Sequence, residues 1–312
     1  MPARIYVPNT ESDSVLVIDP ATYKVIETIP VQRQPQHVVP SWDLKTLWVL
    51  NDLANSITAI DPATGKKGKT LPVDDPYNMY FTPDGKFAIV VAEARERLMF
   101  RDAKTMELKN SLFVSCKGVD HMDFTADGRF LIASCEFSGT VIKVDVATQK
   151  VVARLVIDPK AMPQDVKTSP DGKVFYVADM MSNGVHLIEP ESFTKIGFVP
   201  TGKGTHGLYV SRDSKVLYVS NRGEGSVSLI DLATRKVATK WQIPGGGSPD
   251  MGGVSADGKV LWLSGRYNRE VYALDTTDGH LLARIPVGKG PHGLCVYPQP
   301  GRYSLGHTGV FR

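Results

Sequence analysis

The chain has 312 residues, 36 of them basic and 33 acidic, and its net charge of +3 offers no strong field to nucleic acid or to an anionic membrane. The opening Met1-Pro2-Ala3-Arg4-Ile5-Tyr6 leads into no long apolar run, so no signal peptide or membrane span is expected and the cytoplasm is the expected compartment. Cys116, Cys135 and Cys295 form an odd set without Cys-x-x-Cys spacing, which fits reduced thiols better than a disulfide framework.

Three strands open the chain: Ile5-Tyr6-Val7-Pro8-Asn9, then Ser14 to Asp19, then Lys24 to Pro30, each β-branched or aromatic and bounded by turn residues. A fourth should precede them, and the chain begins too late to supply it. After them comes a phrase around His37 that recurs near Asn78, His121, Asp165, His206, Asp250 and His292. Its period of roughly forty residues is the length of four short strands with their turns, the signature of a propeller blade.

Turn chemistry repeats at the same interval. Pro83-Asp84-Gly85-Lys86 is echoed at Ala126-Asp127-Gly128-Arg129, Pro170-Asp171-Gly172-Lys173 and Ala256-Asp257-Gly258-Lys259, each a tight hairpin with glycine where φ must be positive. Asp19-Pro20-Ala21-Thr22 recurs at Asp61, Asp145 and Asp231 and joins the third strand to the fourth. The last copy, residues 291–297, is an inner strand with no full blade after it. Pairing it with the N-terminal strands of the same blade closes the ring and removes exposed sheet edges. The expectation is therefore an all-β, seven-bladed β-propeller, residues 1–312 forming a single domain with 299–312 as a C-terminal tail.

Leu217-Tyr218-Val219-Ser220-Asn221, Ile5-Tyr6-Val7-Pro8-Asn9 and Leu47-Trp48-Val49-Leu50-Asn51 resemble the Tyr-Val-Thr-Asn repeat of the YVTN family of seven-bladed propellers, over essentially residues 4–298. The resemblance implies the fold. It implies no single activity, because that family spans surface-layer, binding and haem d1-related proteins.

Strand alternation puts the inner-strand entrances and the second-strand exits on one face, the natural binding face. Four copies of the phrase carry a histidine there: His37, His121, His206 and His292. Imidazoles converging on a channel suit iron, copper or zinc. Glu93, Glu136 and Asp179 on the surrounding loops are candidate general acids or bases, while Arg95, Arg222, Arg266 and Tyr267 are candidates for holding an anionic substrate. Asp120, Asp165 and Asp250 could orient ligand N–H groups. Cys116 and Cys135 end on the same face, as thiolate ligands or as inert buried residues.

One feature opposes convergence. Counted from the Asp-Gly turn, His37 and His121 fall one position later than His206 and His292, and neighbouring strand residues point to opposite faces. All four meet only if the entry loops absorb the offset; otherwise the histidines bond to backbone at the channel mouth. Elsewhere, His186 reads as a packed residue of a third strand and His280 as a surface turn residue. The tail is expected to add an outer strand; the alternative takes it across the channel mouth with His307 or Arg312.

Gly68-Lys69-Thr70 lacks the upstream glycine and the helix of a P-loop, and no Gly-x-Ser-x-Gly, His-Glu-x-x-His or EF-hand pattern occurs. The leading expectation is a small-molecule enzyme or sensor, oxygenase- or lyase-like, with a transition metal at the channel mouth. The outline is similar to that of carotenoid-cleaving oxygenases, where four histidines hold iron on a propeller axis. The alternatives are a non-catalytic binding or scaffolding propeller that takes a protein partner on the same face, and a lactonase with acidic metal ligands.

Overall fold

The structure, a computed structural model, describes residues 2–307. These residues form seven four-stranded antiparallel sheets, with the inner strand of each in contact with the next around a ring. The inner strands of blades 2 to 7 are Pro35–Pro40, Asn78–Phe81, Val119–Phe124, Pro163–Thr168, Thr205–Val210 and Pro249–Val254. Blade 1 takes its inner strand, Cys295–Tyr297, from the far end of the chain and sets it beside Arg4–Asn9, in the register Arg4↔Tyr297, Ile5↔Val296 and Tyr6↔Cys295. The ring closes within one blade, as the missing first strand implied.

Burial grades outward along each blade. Second strands such as Leu47–Asn51 and Phe175–Asp179 are buried on both faces, while the fourth strand Lys24–Pro30 is mostly exposed. This is why the inner two strands read as nearly continuous apolar runs. Large side chains fill the space between neighbouring blades: Tyr80, Ile89 and Phe100 of blade 3 pack against Met122, Phe124 and Leu131 of blade 4. In the Asp-Gly turns the aspartate does double duty. Asp84 accepts from the Thr82 hydroxyl at 2.7 Å and from the Lys86 amide at 3.1 Å, and Gly85 takes φ 67°.

Two expectations are corrected here. Cys116 and Cys135 are not free thiols: they form a disulfide, their Cα atoms 5.3 Å apart, and Cys295 is the free, buried cysteine. Nineteen residues separate the pair in sequence, and they meet because the loop entering the inner strand of blade 4 runs back past the end of its second strand, where Val119 pairs with Cys135. Neither can therefore be a thiolate ligand.

Among the described residues the tail adds no outer strand either. It folds under the ring from the Asp-Gly end: Tyr303 stacks on Trp42 at 5.0 Å, the Ser304 amide donates to the Trp42 carbonyl, the Phe81 amide donates to the Leu305 carbonyl, and Gly306 bridges Tyr80. The apolar reward explains the path, since Leu305 is fully buried in the cluster between blades 3 and 4. Arg312 lies outside the described residues.

Candidate functional site

The site is built by a β-bulge repeated in the inner strands. In blade 4, Val119 pairs with Cys135 and Met122 with Ala133, so Asp120 and His121 together face the single residue Ser134. Gln164 and Asp165, His206 and Gly207, and Asp250 and Met251 occupy the same place in blades 5, 6 and 7. In blade 2 the register shift falls at Gln36, just before His37. A bulge lets two successive side chains serve one side of a strand. Between these two blades the strands absorb the one-residue offset: His206 takes the first bulge position and His121 the second, whereas His292 lies ahead of its strand, Cys295–Tyr297.

In blades 4, 6 and 7 the bulge leaves an amide out of the ladder, and a buried hydroxyl collects it. The amides of His121, Gly207 and Met251 donate to Ser134, Ser220 and Ser264 at 3.1, 2.8 and 3.3 Å.

The four imidazoles then meet. Ring centroids are 4.7 Å apart for His37 and His292, 5.5 Å for His37 and His121, 6.4 Å for His121 and His206, and 6.3 Å for His206 and His292. All four residues are buried. His121 Nδ1 lies 3.2 Å from Asn78 Nδ2 and 3.1 Å from the Tyr80 hydroxyl, and His292 Nδ1 lies 3.1 Å from Gln36 Oε1. His206 Nδ1 is 3.0 Å from Asp250 Oδ1 without hydrogen-bond alignment, and both nitrogens of His37 and Nε2 of His121 also lack hydrogen-bond partners. Burial, reinforced by the neighbouring imidazoles and arginines, pushes all four well below the usual imidazole range, so the rings are neutral at physiological pH.

Gly293 allows this packing. A Cβ at that position would stand 1.8 Å from His37 Nδ1, so the residue after His292 must be glycine for the His37 ring to lie against it.

Around the mouth, burial raises the pKa of several acidic groups. Burial, with Glu136 and Asp52 adding repulsion, raises Glu93 to about 8, and burial together with Asp75 raises Asp52 to about 7. Burial also raises Glu136, and raises Asp120 far above the carboxylate range. Burial raises Asp250 too, although Arg222 at 3.2 Å and Arg266 at 3.9 Å oppose that shift. Arg222 also lies under the exposed ring of Tyr267.

The other candidates are placed differently. Asp179 is taken up by the amides of Met162, Met181 and Ser182, the Ser182 hydroxyl and His186 Nε2. Burial works against its ionisation, but those bonds hold it well below the carboxylate range, and it serves the loop. Arg95 is exposed on the rim. His280 is exposed beside Asp278 in its turn.

Tyr77, 5.3 Å from the His37 ring and 6.0 Å from that of His121, is a member that sequence reading missed. So was Gln36. The signal is the dipeptide that follows each entry proline, in Pro35-Gln36-His37, Pro76-Tyr77-Asn78 and Pro249-Asp250-Met251: both positions reach the channel where only one was read.

His206, Asp250 and His292 bring ligand-type atoms within 4.8 Å of one another and form a group able to hold a metal ion. Toward the Asp-Gly face lies a cavity of about 550 Å³, lined by residues including Lys167, Tyr209, Arg212 and His307.

Hydrazine synthase subunit beta of Kuenenia stuttgartiensis is 24% identical over 228 residues, which are 63% of this chain and 53% of that protein, so the chain spans about half the length of that relative. The Kuenenia stuttgartiensis hydrazine synthase structure superposes with a TM-score of 0.77 at 22% identity, over 88% of this chain and 92% of the other. The periplasmic gluconolactonase PpgL of Pseudomonas aeruginosa does so at 0.79 and 18% identity (96% and 99%), and dihydro-heme d1 dehydrogenase NirN at 0.70 and 15% (94% and 75%). At these identities the superpositions establish the propeller and nothing finer. The sequence profile of the YNCE-like beta-propeller matches residues 2–301, and the chain belongs to that family.

Proposed function

We propose that this propeller is a small-molecule enzyme built on a transition-metal ion in the mouth half of its channel. The observation that carries the reading is a set of buried, neutral imidazoles from four blades, several of whose nitrogens have no hydrogen-bond partner. Burying such groups unpaired costs free energy that a bound ion returns, and the neutral ring is the form that coordinates. His206, His292 and Asp250 supply the group able to hold it, with the His37 ring beside His292 and the His121 ring beside His206. Iron, copper and zinc all suit this donor set.

The bound ion would act as a Lewis acid on a substrate oxygen or on water. The chain's own residues do the rest. Arg222 and Arg266 draw an anionic group to the mouth, and Tyr267 covers Arg222. Glu93, raised to about 8, is the candidate proton donor, with Glu136 a second carboxyl at the same mouth. The Cys116–Cys135 disulfide supports an oxidising compartment in place of the cytoplasm.

The test is metal stoichiometry on purified protein incubated with iron, copper or zinc, then on His206→Ala and His292→Ala. One equivalent of a single metal in the wild type, lost in both variants, supports the reading. A wild type without stoichiometric metal overturns it.

One observation favours the second reading, a protein partner on the mouth. Leu53, Phe137, Met181 and Tyr267 each stand two residues beyond the end of a second strand, and all are exposed. They ring the mouth with apolar surface of the kind partners cover. The relative from Kuenenia is by its name a subunit. This reading is compatible with the metal site, and it stands alone if the wild type holds no metal.

A further inference from the structure

Ring closure is complete at Tyr297, yet the chain continues beneath the propeller and ends its described course inside the channel. The path is well secured. Tyr303 stacks on Trp42, Leu305 is fully buried, and Gly306 lies so close to blade 3 that a Cβ there would stand 2.5 Å from the Met79 carbonyl oxygen, at φ +87°. The residue delivered is a histidine. Its ring centroid is 4.3 Å from that of His37 and 5.7 Å from that of His121, and its Nε2 is buried without a hydrogen-bond partner. His307 thus stands between the imidazoles of the mouth half and the cavity at the Asp-Gly end.

We propose that His307 is a further ligand of the metal ion, one that reaches it from the end of the channel opposite the mouth and ties the C-terminal tail to the site. This rests on the metal reading above. Two facts argue against a purely structural histidine. A residue that only filled space would gain nothing from an imidazole, whose buried nitrogen costs free energy unless it is bonded. The rings nearest it are those of His37 and His121, with Lys167 and Asp250 as charged neighbours, and none of them gives its Nε2 a hydrogen bond. Metal affinity and tail docking must then be coupled reciprocally: the tail strengthens binding, and the ion holds the tail.

The experiment compares wild type, His307→Ala and Tyr303→Ala, all full length, for Zn²⁺ affinity by chelator competition and for the nitrogen hyperfine pattern of the Cu²⁺-loaded protein. His307→Ala should weaken Zn²⁺ by roughly 10- to 100-fold, a range that even outer-shell partners of a metal command, and should remove one nitrogen from the copper spectrum. Tyr303→Ala, which loosens the tail but keeps the imidazole, should weaken Zn²⁺ less and leave the spectrum unchanged. A measurement on the wild type alone guards against a misfolded variant: Zn²⁺ should protect His307 from diethyl pyrocarbonate, as mapped by mass spectrometry. If the wild type binds metal but His307 is modified equally with and without it, or His307→Ala binds as tightly with an unchanged spectrum, the proposal fails and the site beneath it stands. If the wild type binds no metal, both fail.

Discussion

Gly293 and His37 come from opposite ends of the chain and fit together with no room to spare. Gly293→Ala therefore forces the His37 ring aside, because a Cβ 1.8 Å from Nδ1 cannot be accommodated. The expected cost is about 1–3 kcal/mol of stability, the usual range for overpacking a filled interior, together with weakened metal binding; denaturant unfolding and metal titration read the two. Glu93 makes a prediction about pH. Its folded-state pKa of about 8 lies above the ordinary 4.5, so the folded protein holds a proton that the unfolded chain releases. Stability contributed this way is present below 4.5 and is lost as pH rises through 8. Asp52, raised to about 7, adds to the loss. Metal-free wild type should consequently lose stability as pH rises from 4.5 to about 8, and Glu93→Gln should lose less; thermal midpoints across that range measure it.

The recurring bulge is the element on which the site depends. Ser134 both accepts from the His121 amide and donates to its carbonyl at 3.2 Å, so Ser134→Ala leaves a buried amide unpaired. It should cost about 1–3 kcal/mol and reduce metal affinity through His121, as calorimetry and metal titration would show. Element types were legible in the sequence, since Asp-Gly and Asp-Pro-Ala-Thr turns punctuate apolar runs at a fixed interval. The bulge was not, because it exists only in the pairing of two strands: nothing in Val119-Asp120-His121-Met122 says that two residues will face one. The same limit hid Tyr77 and Gln36, which the sequence pattern does not single out. The cysteine pairing was equally hidden, since Cys116 and Cys135 look unrelated until the entry loop passes the strand end. Thiol titration checks it: unfolded, unreduced protein should show one reactive thiol, Cys295, and three after reduction.

For the whole molecule, closure was written plainly in the sequence as a missing first strand and a surplus last one. The tail's route was not, because its direction is set by burial of Leu305 and stacking of Tyr303 against blades already formed. The closing segment is also part of the site. His292 hydrogen-bonds Gln36 across 256 residues, its amide donates to the Pro8 carbonyl, and the Gly293 amide donates to the Gln36 carbonyl. A nascent chain emerging from the ribosome therefore carries three of the four blade histidines before the segment that supplies the fourth arrives. On the metal reading proposed above, loading would wait on the closing segment, and chains that stop short of residue 291 should be metal-free however well blades 2 to 7 form. A bound ion would then report that the ring had closed.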